Sequence, residues 1–354
     1  MDEPLLIETA DELDELMPAW EALAGPAGSP MQRHAWTKAF VQAYGTEYEL
    51  KVVAIDSDGE VEAIAPLATP RTGINRLGLV AGEELSEPGD FVYRDRDALE
   101  RLAAGVARLS MPVLLARVSA DSPTVEALRS AYRRRTIFYS RDAAPYPWIA
   151  LDEGWQEPEQ KFKSDRRSDL RRARRRAEKD GEVVTEVLAP DRDELEPLLE
   201  EVFRVEASGW KGREGTALAA DARLRDFFTA FAQNAANAGF LRLAFLRIGD
   251  RTAAVQLAAQ CGERFWLLKV GYDEDFKRSS PGTLLMLETV RYAATQGLRS
   301  YELLGTAEAW TRVWTETERE CVALRAYPPR PGGIAAAALD ARRFARRGSR
   351  AVGG

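Results

Sequence analysis

Apolar residues recur at helical spacing in "TADELDELMPAWEALA", where Leu13, Leu16 and Trp20 share one face. A second helical stretch, "AWTKAFVQAYG", follows. Two apolar runs then flank the turn signal Asp58-Gly59 in "ELKVVAIDSDGEVEAIAPLA", which predicts a hairpin. The same order returns further along. "PDRDELEPLLEEVFRVEA" repeats Asp-Glu-Leu-x-x-Leu from the first helix. "FFTAFAQNAANAGF" places Phe227, Phe231 and Gln233 where Trp36, Phe40 and Gln42 stood, and "LRLAFLRIGDRTAAVQLAAQ" places Gly249 for Gly59. The offset grows after the first helix, so the second copy carries a short insertion containing "GWKGREGTAL". Three matches in one order predict a duplicated domain.

The second copy continues with a strand ending "WLLKVGYD", a polar stretch, a helix to about Thr295, a strand "SYELLG" and a closing segment "TAEAWTRVWTETERECVALRAY". That order predicts an α/β (α+β) fold, a mixed sheet flanked by helices. Prolines and polar residues in "RDAAPYPWIALDEGWQEPEQ" interrupt the periodicity and mark the linker. We therefore expect one domain over 1–148, a second over 149–328, and an Ala/Arg/Gly-rich tail over 329–354, a short helix with a partly disordered end.

Composition narrows the chemistry. A chain of 354 residues suits two cores. No apolar run reaches the roughly 20 residues that span a bilayer, and the acidic start "MDEPLLIETADEL" has no signal-peptide order, so we expect a cytoplasmic protein without stable membrane insertion. His34 is the single histidine, which leaves no material for a multi-histidine metal site and argues for a structural or merely exposed residue; no metal is expected. Cys261 and Cys321 have no CxxC spacing and read as buried small hydrophobes. Net charge is −7, yet residues 161–180 carry +6, leaving −13 on the rest. An acidic protein with one basic segment suits a local anionic partner and not DNA.

The polar stretch before the buried helix holds the densest candidate chemistry. Lys277, Arg278, Ser279, Ser280, Gly282 and Thr283 surround a helix start, where unsatisfied amides and the helix dipole attract anions. Gly282 has no side chain to obstruct a phosphate. An ordinary capped helix, with Ser280 as N-cap and Pro281 in the first turn, accounts for the same residues. Neither GxxxxGK[ST] nor GxGxxG occurs here, against a P-loop nucleotidase or a Rossmann dehydrogenase.

In its order, "GYDEDFKRSSPGTLL", helix, Gly, strand, "YELLG", "AWTRVW", the chain resembles the FemAB/CelD-like branch of the GNAT acyltransferases. "GWKG", "DRRSDLRRARRRAEKDG" and "SPMQRHAW" also resemble that branch. The resemblance implies two tandem GNAT-like domains, with acyl-CoA (acetyl-CoA) bound by the second. The donor pyrophosphate would meet the Ser-Pro-Gly loop, and the thioester would enter the splay between the strands ending at Gly271 and Gly305. The first copy, with "RTGINRLGLVAGEELSEPGDF" after its hairpin, has no such loop and would shape the acceptor side. The family's Tyr-Lys in the closing segment is replaced here by Trp310-Thr311-Arg312, with Arg312 as the nearest cation.

Acyl transfer needs a neutral amine, an oxyanion donor and a proton for the leaving thiolate. Candidate catalytic groups are Tyr272, Asp273, Glu302 and Glu206, with Tyr272 as acid and Glu302 or Asp273 as preferred base. Backbone amides near Val270 and Gly271 would polarise the carbonyl. Candidate substrate contacts are Trp210, Lys211, Gln256, Lys269, Trp310 and Arg312. Competing readings make Trp210 a core residue, Lys269 a snorkelling side chain and the basic segment a solvated helix face. The acceptor is expected to be an amine on a small molecule or cell-envelope precursor. Rival functions are a FemX-like aminoacyl-tRNA-dependent aminoacyltransferase, whose basic helix would meet tRNA, and a degenerate pair acting as a binding protein. Homo-oligomerisation is left open.

Overall fold

The computed structural model describes residues 3–25, 28–133, 136–208 and 221–351, the last helix from 344 onward by its backbone alone. The chain divides into two compact units, 1–146 with 319–354, and 147–318.

The first unit opens with β1 (Leu5–Ile7), α1 (Ala10–Ala24) and α2 (His34–Tyr44). Thr9 caps α1 in a reciprocal capping box with Glu12, and the helix buries Leu13 and Trp20. Short strands β2 (Tyr48–Leu50), β3 (Val52–Ser57), β4 (Glu60–Ala65), β5 (Leu67–Pro70), β6 (Gly78–Leu79) and β7 (Val92–Tyr93) come next. They form sheets ordered β1-β3-β4-β7 and β2-β5-β6. The β3–β4 turn uses Asp58 and Gly59 at φ 56° and 83°, as its sequence predicts. Then come α3 (Arg96–Arg108), β8 (Val113–Ser119), α4 (Pro123–Tyr132) and β9 (Ile137–Ala150), within which the chain enters the second unit. Leu99, Leu102, Ala103 and Val106 of α3 pack with Val53, Ile55 and Leu115 in one apolar core.

The second unit contains α5 (Ser164–Asp180), β10 (Val183–Leu188), α6 (Arg192–Ser208), α7 (Ala222–Asn237), β11 (Leu241–Ile248), β12 (Arg251–Cys261), β13 (Arg264–Tyr272), α8 (Pro281–Thr295) and β14 (Ser300–Glu302). Its sheet runs β10-β11-β12-β13-β14 and then the end of β9. Every pairing is antiparallel except β13 with β14, which α8 connects. The helix–helix–hairpin order recurs as the sequence predicts. Both hairpins carry a register shift at comparable places, Ile55/Asp56 and Leu246/Arg247.

β15 (Glu318–Tyr327) returns the chain to the first unit, where it pairs with β8, and α9 (Pro331–Ala351) follows. Residues 319–328 thus group with the first unit and not the second. The tail is helical, and a buried polar cluster holds it: Asp340 on α9 accepts from Tyr327 Oη at 2.6 Å and from Arg76 Nη1 at 3.3 Å. The partners lie 264 and 13 residues away, so no local signal announces them.

Among the described residues no helix is long and apolar enough to cross a membrane. Both cysteines are buried and form no disulfide with each other. His34 is buried, with its Nε2 2.9 Å from the Leu13 carbonyl oxygen, so that nitrogen carries the proton in the neutral ring. Burial pushes its pKa below the usual value and outweighs the opposing pull of the Leu13 carbonyl and Asp14. The unfolded ring takes up a proton near pH 6.5, whereas the folded ring resists it until lower pH. This contribution is therefore complete above about 6.5 and drains as pH falls. We expect His34→Gln to lose less stability than the wild type between about pH 7 and 5, measured by urea midpoints; parallel pH slopes would remove His34 from the balance.

Candidate functional site

The candidate site lies in the second unit, at the carboxyl ends of β13 and β14. These parallel strands pair only through Arg264 with Ser300, Phe265 with Tyr301, and Trp266 with Glu302. β13 then continues to Tyr272 alongside β12, with Val255 opposite Gly271. An extra residue, Leu268, sits in β13 between the pairs Leu257–Lys269 and Ala258–Leu267, and such a bulge bends its strand. β14 departs the other way: the Leu303 amide donates to the Pro147 carbonyl at 3.0 Å, and Leu304 and Gly305 turn at φ 56° and 57°. The result is a wedge between the two strands, beyond Trp266 and Glu302.

β13 ends in the anion-binding candidate. Asp273 caps a 3-10 turn over Glu274–Ser279, accepting from the Asp275 amide at 3.0 Å. Arg251 clamps that turn, with Nη2 2.7 Å from both Asp273 Oδ2 and Asp275 Oδ2 and its guanidinium 4.8 Å above the Phe276 ring. The carboxylates of Asp275 and Asp273 hold this guanidinium above its usual pKa. Ser280 then adopts the left-handed conformation, φ 47° and ψ 53°, at a cost of roughly 1–2 kcal/mol for a non-glycine residue. It occupies the N-cap position, but its side chain makes no cap hydrogen bond. Thr283 and Leu284 donate back to the Ser280 carbonyl, whereas the Gly282 amide meets no acceptor among the described residues. A Cβ at 282 would touch only the Tyr272 ring, at 3.8 Å, so the space over this amide is open.

The basic helix α5 lies beside this loop. Its stripe of Leu170, Ala173 and Ala177 is buried with Leu284 and Leu287 of α8 in one core. Several of its arginines pair close to home: Arg172 with Asp169, Arg174 with Glu178 and Glu288. Arg176 reaches the loop itself, its Nη1 donating to the Arg278 carbonyl at 3.1 Å. In the first unit, the helix after the corresponding hairpin is α3, and there Asp95 accepts from the Ala98 amide. A carboxylate at that N-terminus closes it to anions.

The candidate catalytic groups separate. Tyr272 ends β13 beside Gly282. Glu206, 2% exposed in the last turn of α6, lies against Gly271, where a Cβ would come within 2.5 Å of the Glu206 Cα. Asp273 is occupied as cap and ion-pair partner. Glu302 is fully buried, accepting from Ser300 Oγ at 2.6 Å with Arg264 3.8 Å away. Glu206 is nearly as deeply buried as Glu302, whereas Tyr272 is half-buried at the end of β13. Gln256 is also internal: Tyr301 Oη donates to its Oε1 at 3.1 Å, and Thr289 lies 3.0 Å from the same hydroxyl. Burial raises the Tyr301 phenol above its ordinary range. Lys269 lies with its Nζ 4.7 Å over the Phe228 ring. Trp310 is 40% exposed and bonds Glu308, and Arg312 is exposed in the adjacent turn. Trp210 and Lys211 lie outside the described residues. The sequence reading missed Arg251 and the particular role of Arg176. The first carried no signal, and the second was one arginine among many. Among the described residues no cluster of three or more His, Cys, Asp or Glu could hold a metal ion.

Residues 164–312 match the family described as "Acetyltransferase (GNAT) domain". That stretch contains the wedge and the loop. The whole chain shares its fold with solved structures at low identity. The C-terminal domain of a putative lysylphosphatidylglycerol synthetase from Agrobacterium fabrum is 12% identical, covering 93% of this chain and 96% of its own, with a TM-score of 0.59. FemX is 14% identical over 92% and 97%, at 0.58. A conserved protein of unknown function from Bacteroides thetaiotaomicron is 10% identical over 91% and 98%, at 0.56. No curated protein matches by sequence. The family match and the FemX fold agree with the FemAB/CelD-like tandem GNAT branch.

Because the Gly271 contact is backbone against backbone, it cannot be relieved by a rotamer change. We expect Gly271→Ala to push α6 from β13 and destabilise the protein by about 1–3 kcal/mol, the scale of overpacked cores. A denaturant midpoint unchanged from wild type would show that α6 adjusts freely.

Proposed function

We propose that the protein is an N-acyltransferase that moves an acyl group, acetyl being the simplest, from acyl-CoA to an amine of a small molecule or cell-envelope precursor. The observation that carries this reading is the wedge between β13 and β14 opening beside a helix start that lacks a side-chain cap. An extended thioester arm suits the wedge. Its pyrophosphate suits the open Gly282 amide, the α8 dipole and the cations Lys277 and Arg278, with Ser280 and Thr283 as hydroxyl donors, whereas Ser279 is buried.

The amine lone pair attacks the thioester carbonyl carbon and the carbonyl oxygen becomes an oxyanion. Amides at the Val270–Gly271 end of β13 are the proposed donors to it. Collapse breaks the carbon–sulfur bond. Tyr272 gives its proton to the thiolate, and Glu206, acting through water, takes the proton the amine loses. Trp310 and Arg312 are proposed acceptor contacts, being exposed on the segment that leaves β14.

A second reading, aminoacyl transfer from tRNA, draws support from the exposed arginine face of α5 and from the FemX fold. A degenerate binding protein is a third. The exposed Lys277 and Arg278 beside an uncapped helix start weigh against it.

Calorimetry with CoA should show binding that Gly282→Val abolishes while the circular dichroism spectrum is retained. Equal affinity in the variant would remove the loop from the site. With donor and acceptor in hand, Tyr272→Phe should lower kcat about 100-fold with KM nearly constant, the lower range for a lost general acid. An unaltered kcat would assign the proton elsewhere. Changing Arg171, Arg172, Arg174 and Arg175 together to Gln should alter CoA affinity by under about 1 kcal/mol, as for exposed charges. Tight tRNA binding that these changes weaken by orders of magnitude, with a flattened salt slope, would favour the second reading.

A further inference from the structure

We propose that Arg176 is a positioning residue for the donor loop: by holding the Arg278 carbonyl it keeps the Gly282 amide open to an anion. This rests on the donor reading above and adds to it the device that keeps the cradle from closing on itself.

In an α-helix each amide donates to the carbonyl four residues back, so the natural acceptor for Gly282 is Arg278. Were that bond made, the Gly282 amide would be taken and closed to a ligand. The left-handed turn at Ser280 interrupts the winding. The Arg278 carbonyl accepts instead from Arg176 Nη1, on a helix 102 residues earlier in the chain, and Gly282 is left without an acceptor among the described residues. A left-handed serine is unfavourable by itself, and the charged hydrogen bond from Arg176 offsets that cost. The entry to the loop is fixed separately by Arg251 on Asp273, Asp275 and Phe276. Loss of Arg176 therefore releases only the exit, where the recapture would occur. Lys277 and Arg278 attract an anion by charge. Arg176 acts on the backbone that receives it.

The two roles respond differently to salt and to residue 280. The test compares wild type, Arg176→Ala and Arg176→Ala with Ser280→Gly, all as full-length protein. CoA affinity is read at low and high salt, and Gly282 amide exchange is followed by NMR without ligand. Arg176 is exposed, so its removal leaves the core intact. We expect Arg176→Ala to weaken CoA binding about tenfold at both salt concentrations, the size of one charged hydrogen bond. The Gly282 amide should exchange more slowly as it recaptures the Arg278 carbonyl. Ser280→Gly should restore most of the affinity, because glycine adopts the left-handed turn freely. Unchanged affinity and exchange would overturn the proposal. So would a loss that vanishes at high salt and ignores Ser280→Gly, since Arg176 would then act on the ligand as a charge. A wild type that binds no CoA overturns the donor reading instead. The exchange rates then decide alone, equal rates in wild type and Arg176→Ala counting against Arg176.

Discussion

Everything at the site depends on the brevity of one parallel pairing. β13 and β14 share three residues and then separate, because each has a stronger claim on its other side. β13 follows β12 to the end of its length, bent by the extra residue Leu268, while Leu303 turns its amide to Pro147. Two strands that stop pairing inside a sheet open a wedge between them. The same divergence sets the direction of the loop after Tyr272, and so where the α8 N-terminus points.

Charge is distributed to match. The chain is acidic overall, yet Lys277, Arg278 and Arg176 gather at a helix start whose dipole has the same sign. Lys277 and Arg278 are exposed there, while Arg176 is engaged with the Arg278 carbonyl. In the first unit the related helix start is closed by Asp95. A duplicated architecture has thus been specialised in one copy by the exchange of a capping carboxylate for an uncapped, cationic turn.

Much of the architecture was legible beforehand because its causes are local. The buried face of Leu13 and Trp20, the Asp58-Gly59 turn and the hydroxyl-rich start of α8 each lie within a few residues of the sequence that produces them. Repetition of the same order made the tandem arrangement readable as well. The candidate acids and bases were less legible. Asp273, Glu302, Glu206 and Gln256 look alike as polar residues near strand ends. All four are buried, and their partners differ: Asp273 bonds Arg251, Glu302 bonds Ser300 and Gln256 bonds Tyr301.

The sequence by itself determined the element order, the repeat and the cationic, hydroxyl-rich character of residues 277–283, because periodicity, turn chemistry and local charge are properties of neighbouring residues. Tertiary structure alone decided which cation holds the loop, why Gly271 must lack a side chain and that the chain's end returns to the first unit. Arg176 meets Arg278, Glu206 meets Gly271 and Asp340 meets Arg76 across 102, 65 and 264 residues. No spacing rule reaches that far, since such contacts exist only once the chain has closed on itself.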